Sequence, residues 1–288
     1  MGILIDWVLP AALAFMMFSL GVSLTTADFT RVFKQPRAFT IGAIVQMVLL
    51  PMTALGVALA FQLPPELALG LFILSLCPGG PTSNLFAKLA NGDAALSVSL
   101  TAVITVISVF TLPLLAVSAG QHFLGTQEPP VSVIPIAARA IIAMLIPISF
   151  GMWLKQRAPV WVGRNERVIT IISVVLITCV ILASVAGQWS NFIKWFPTLG
   201  GACVVVMLLM LASGPLLGRL FGLTQAEASS ISIDSAMQNA VMGITIGAMF
   251  ATNADPIALA SMPSGIYGVM MYFVCAPFVW WRRRTSSS

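Results

Sequence analysis

Charge is scarce in this chain. Only 8% of its 288 residues are Asp, Glu, Lys or Arg, where a soluble domain carries about a quarter. That deficit excludes a protein bathed in water on all sides. Histidine occurs once, at His122, and no HExxH, GxSxG or paired catalytic-carboxylate pattern is present. A nucleophile such as Cys77 or Ser83 needs a base within hydrogen-bond reach. The lone histidine falls in an expected outer loop, so a membrane-embedded enzyme is a minor alternative. The four cysteines, Cys77, Cys179, Cys203 and Cys275, stand in apolar runs without CxxC or Cys/His spacing. They read as small buried hydrophobes. No long polar stretch is available for a separate soluble domain.

What is abundant is apolar length. The chain is 59% hydrophobic with a mean hydropathy of +1.00, and segments near 20 apolar residues recur throughout, as transmembrane helices require. The expected fold class is an all-α polytopic membrane protein with nine transmembrane helices. They are placed at about 3–24, 38–61, 66–89, 93–119, 132–154, 168–188, 196–220, 225–251 and 256–281. The first contains Asp6 and Pro10 and lacks a basic n-region, so it is expected to be a retained helix.

The net charge of +5 is placed asymmetrically. With the N-terminus outside, 12 of the 14 basic residues fall inside: Arg31, Lys34, Arg37, Lys88, Lys155, Arg157, Arg164, Arg167, Arg219 and Arg282 to Arg284. Lys194 falls outside, and Arg139 lies in the outer part of the fifth span, where snorkelling outward or attracting substrate are both open. This is the positive-inside pattern. It predicts an external N-terminus and a cytoplasmic C-terminus in the inner (plasma) membrane, and no nucleic-acid partner.

Two spans contradict their own apolar character. "LCPGGPTSN" places Pro78, Gly79, Gly80 and Pro81 in mid-span, where no water satisfies freed backbone groups. "EASSISIDSAMQNAVMG" buries Ser229, Ser230, Ser232, Asp234, Ser235, Gln238 and Asn239 in lipid-length sequence. A charge at that depth costs about 2.5–3.5 kcal/mol, so Asp234 needs a partner. Helix capping or an interhelical bond is one reading; a hard cation held by carboxylate, hydroxyl and amide oxygens explains more. A broken helix also presents carbonyls that suit a cation and amides that suit an anion. Interrupted helices at comparable places in two halves point to an inverted-repeat transporter. Ser97 and Thr101, four apart, share a helix face. Gln46, polar in an apolar run, is either an inward ligand or a helix–helix bond.

At these residues the sequence resembles the bile acid:sodium symporter family. The matching blocks are "CPGGPTSN", "LANGDAALSVSLTAV" and "SIDSAMQNAVMG", preceded by "FSLGVSLTTADFTRVFKQPRAFTIGAIVQMVLLP". The resemblance runs over most of the chain. It implies a single transmembrane domain, residues 1–288, with core and panel parts and two crossing discontinuous helices. The first repeat, about 1–120, lacks its first helix; the second covers about 131–284. It also implies two sodium sites. Carried over position by position, the first uses Ser83, Asn84, Ser97, Thr101 and Asp234. The second uses Gln46, Gln238, Asp234 and the backbone carbonyls of Ser235 and Met237. Thr82, Asn84 and Asn239 would face the substrate.

The family usually has glutamate where this chain has Asp234, and the shorter carboxylate leaves room for a proton in place of one sodium. The last helix lacks the histidine and asparagine that line a steroid cavity in some relatives. The expected activity is therefore sodium-coupled import of a small organic anion by alternating access. Proton coupling on the same scaffold is the alternative, with a membrane sensor or enzyme behind it.

Overall fold

The computed structural model describes residues 9–125, 133–187, 189–250 and 259–285. Among them all regular structure is helical: α1 (Leu9–Ser23), α2 (Thr26–Thr30), α3 (Pro36–Ile44), α4 (Leu50–Ala60), α5 (Pro65–Leu76), α6 (Pro81–Leu89), α7 (Ala94–Leu124), α8 (Val133–Arg157), α9 (Pro159–Gly187), α10 (Trp189–Phe221), α11 (Gln225–Ala236), α12 (Ala240–Ala248) and α13 (Met262–Thr285). Four helical stretches among the described residues are long and apolar enough to cross a bilayer: Pro36–Ala60, Ala94–Leu124, Trp189–Phe221 and Leu259–Thr285.

Several boundaries differ from the sequence expectation for physical reasons. The basic stretch after the fifth span is helical, because α8 runs to Arg157 and α9 starts at Pro159. Proline at the first helical position loses no bond there. His122 lies in the last turn of α7, stacked edge-on against Phe123, not in a loop. Residues 1–8, 126–132 and 251–258 lie outside the described part, as does the Arg139 side chain, so the start of the first span, the outer loop and the end of the eighth are untouched.

Helix α3 continues into α4 through a π-helical turn, Val45–Leu49, in which the Leu50 amide reaches back to the Val45 carbonyl. Pro51 explains it. Proline lacks an amide and crowds the carbonyl four residues earlier, and the wider turn relieves both.

Close helix contacts surround this frame. A Cβ on Gly21 would strike the Ile148 backbone and one on Gly151 the α1 backbone, so α1 and α8 pack through mutually facing glycines. Lys155 donates to the Ser23 carbonyl at 2.9 Å, closing the end of α1. Helix α10 meets α11 where Gly214 lies against Ala228 and Ser232. Large apolar side chains such as Phe110, Ile142, Ile171 and Phe273 remain exposed on the outer surface, as lipid contact requires.

Candidate cation and anion site at the paired helix breaks

The first break is Cys77 to Gly80. Leucine-rich α5 stops because Pro78 removes a donor, and Cys77 and Gly80 take extended backbone conformations (ψ 147° and 177°). Pro81 then opens α6. The second break has no proline or glycine. Helix α11 ends at Ala236, Met237 is extended, and Asn239 caps α12 by accepting the Met242 amide at 3.0 Å. The two breaks meet: the Asn239 amide donates to the Pro78 carbonyl at 3.0 Å.

Polar side chains from three elements converge beside that junction. The Ser97 hydroxyl on α7 lies 2.8 Å from Asn84 Oδ1 on α6 and 2.8 Å from Asp234 Oδ1 on α11. The Thr101 hydroxyl donates to the same Asn84 oxygen at 3.1 Å. Ser83, fully buried, donates to the Gly80 carbonyl at 2.9 Å. A Cβ on Gly79 would sit 3.0 Å from Ser83 Oγ, 3.5 Å from Thr101 Oγ1 and 3.7 Å from the Asp234 carbonyl. Any larger residue at this break would crowd the Ser83 hydroxyl.

Acceptors outnumber protons here. Ser97 has one hydrogen for two oxygens, and Asp234 Oδ2 lacks a partner among the described residues. Four of the seven such buried side-chain atoms belong to these breaks or the π turn: Gln46 Nε2, Asp234 Oδ2, Gln238 Oε1 and Asn239 Nδ2. Each orphan costs about 1–3 kcal/mol, so these residues are candidates for contact with a ligand. One carboxylate among neutral oxygens balances a monovalent cation; a divalent ion would leave net charge buried. The groups that meet there are hydroxyl, amide and carboxylate oxygens, a hard donor set.

The second predicted set is arranged differently. Gln46 is buried in the π turn, which packs on α11. Gln238 turns its amide nitrogen to the Ser235 carbonyl at 2.8 Å and the Asp234 carbonyl at 3.3 Å. The Ser235 hydroxyl is engaged with the Ile231 carbonyl, and Met237 is buried with its amide on Ile233. Of the substrate candidates, Thr82 and Asn84 are half-buried in the first turn of α6, and Asn239 is buried with its Nδ2 unpartnered.

Sequence reasoning missed three supports. Asp93 caps α7 through the Ala95 and Leu96 amides and accepts from Gln35 at 2.9 Å; an Asp between a turn and an apolar run was the available signal. Arg282, read only as topology, is buried and donates to Ser229 Oγ and the Gln225 carbonyl. Tyr267 donates to the Ala236 carbonyl at 2.9 Å, so its hydroxyl is taken up in closing the end of α11.

Comparison with known proteins identifies relatives of this chain. The model of the sodium bile acid symporter family matches residues 10–195. The uncharacterized sodium-dependent transporter YocS of Bacillus subtilis (strain 168) is 30% identical over 261 residues, covering 89% of this chain and 77% of that protein. The probable sodium/metabolite cotransporter BASS1, chloroplastic, of Arabidopsis thaliana is 30% identical, covering 96% and 68%. The ileal sodium/bile acid cotransporter of Homo sapiens is 25% identical, covering 97% and 79%.

Proposed function

This chain belongs to the sodium bile acid symporter family, and from that premise we propose that it imports a small organic anion together with sodium. It is a sodium-coupled, multi-pass membrane transporter, and its relatives are transporters, not enzymes. One observation carries the finer reading: Asn84, Ser97 and Asp234 come from three separate elements onto one buried point.

In this reading Ser83, Asn84, Ser97, Thr101 and Asp234 hold one sodium ion. A second uses Gln46, Gln238, Asp234 and the Ser235 and Met237 carbonyls, once the Gln238 amide turns away from them. Bound there, the ion supplies positive charge that neutralises Asp234 and ties α6, α7 and α11 together. The chain's own groups do the rest. The N-terminal ends of α6 and α12 carry the partial positive charge of the helix dipole, which suits a carboxylate. Thr82, Asn84 and the unpartnered Asn239 Nδ2 fix its orientation. Because the breaks are bonded to each other, ordering either one orders both. Each ligand therefore strengthens the other, reciprocally. The core moves against the panel around this junction to give alternating access.

Tyr267 is buried with its proton on the Ala236 carbonyl, and the last helix offers no histidine or asparagine to a steroid, so we take a compact hydroxy or keto acid as the substrate. The test is uptake of such acids into proteoliposomes under separate sodium and pH gradients. Uptake driven by inward sodium is the expected result. Uptake that follows pH and ignores sodium would instead make Asp234 a proton carrier.

A further inference from the structure

The contact between α7 and α11 at the cation site has a twin one turn earlier. Ser230 donates its hydroxyl to the Asp93 carbonyl at 2.9 Å, and Ser97 meets Asp234 at 2.8 Å. Both partners advance by four residues from the first contact to the second. The helices therefore run parallel here and touch along one line of side chains. Gly92 makes the first contact possible, since a Cβ there would lie 2.6 Å from Ser230 Oγ and 2.9 Å from the Ala87 carbonyl. The Asp93 amide donates to Ala226 at 3.1 Å, securing the same end of α11.

The neighbouring residue is held from another side. Arg282 Nε donates to Ser229 Oγ at 2.7 Å and its Nη2 to the Gln225 carbonyl at 2.6 Å. Adjacent helix positions are about 100° apart, so the two bonds fix α11 both along its axis and about it. Asp234 lies two residues before the other end of this 12-residue rod, where the helix breaks.

We propose that Ser230, seated on the Asp93 carbonyl behind Gly92, is a positioning residue for the cation site: it sets the register in which Asp234 meets Ser97. The inference rests on the sodium reading above. Ser230 acts through α11, one helical turn from the carboxylate. A slip of one residue would move Asp234 by about 1.5 Å and rotate it by about 100°, and a fraction of that breaks a 2.8 Å contact.

The experiment measures sodium-driven uptake in proteoliposomes for the wild type, Ser230→Ala, Ser230→Thr, Ser97→Ala and the Ser97→Ala/Ser230→Ala double variant. Loss of one hydrogen bond predicts a roughly three- to tenfold rise in half-saturating sodium for Ser230→Ala, with maximal rate within about twofold. Threonine restores the hydroxyl and the affinity. The double variant is no worse than Ser97→Ala, because both changes act on one contact. Unchanged sodium dependence in Ser230→Ala overturns the proposal, as does a fall in rate alone or multiplication of the two effects. If Ser230→Ala does not fold, Gly92→Ala crowds the same hydroxyl and must shift sodium affinity in the same direction. Sodium-independent uptake by the wild type would sink the functional reading instead. The register claim then stands or falls on an experimental structure of Ser230→Ala: Ser97 and Asp234 moved beyond hydrogen-bond reach supports it, and an unchanged contact refutes it.

Discussion

At the residue scale the proposed site turns on Asp234, the one carboxylate beside the neutral oxygens of Asn84, Ser97 and Thr101. Asparagine in its place keeps the shape and one oxygen but loses the charge that balances a cation. Asp234→Asn should therefore weaken sodium binding at least tenfold, about 1.4 kcal/mol. Thermal unfolding of purified protein in sodium against potassium reads this directly. The wild type and Asp234→Glu should be stabilised by sodium and Asp234→Asn should not; a full sodium effect in the asparagine variant removes Asp234 from the site. Residues like this one were legible in the sequence. Asp234 is conspicuous as an ionisable group in an apolar span and Asn84 follows the first break, whereas Ser97 and Thr101 came from the family resemblance, with their four-residue spacing in support. Ser230 and Arg282 were visible too, but their roles were not. A serine's partner is chosen by tertiary packing, and an arginine near a helix end reads first as topology, although here it is only 7% exposed.

At the scale of elements, the first break was written in proline and glycine, whose backbone limits act locally. The second was legible only through its polar content, since Met237, Gln238 and Asn239 include no helix breaker. The π turn before Pro51 was hidden because a proline can equally kink a regular helix, and nothing local in the sequence tells the two apart. Helix α7 shows how a single cap serves several elements. Asp93 satisfies two of its first amides and takes a third bond from Gln35, which precedes α3. Asp93→Ala leaves those donors unpaired and should lower stability by about 1–2 kcal/mol, whereas Asp93→Asn keeps a capping oxygen and should recover most of it. Melting temperature in detergent without sodium checks the order. An alanine variant as stable as the wild type would mean that packing alone fixes the start of α7.

For the whole molecule, the bilayer is the remaining partner, and the aromatic residues suggest where its faces lie. Around the start of α10, Trp189 stacks on Phe192 at 5.6 Å, Phe192 meets Phe196 at 5.1 Å, and Lys194 lies 4.8 Å from the Trp195 ring centroid. At the end of α13, Arg284 lies 3.8 Å from the Trp280 ring centroid, with Trp280 and Trp281 exposed. Such belts are typical of membrane–water interfaces. Helix α9, 29 residues long, spans about 43 Å at 1.5 Å per residue. That exceeds the roughly 30 Å hydrocarbon thickness, so its two ends can reach opposite faces. The basic residues at its start, Arg164 and Arg167, argue for a cytoplasmic end there, which would put Lys194, just beyond its other end, outside. Single cysteines at these exposed positions test the assignment, with the exposed native Cys179 replaced by serine to remove background. In intact cells a membrane-impermeant maleimide should label Lys194→Cys at once and Arg164→Cys only after permeabilisation. The reverse pattern would invert the proposed orientation, placing the Asp93 end of α7 and the Arg282 clamp outside and the N-terminus within.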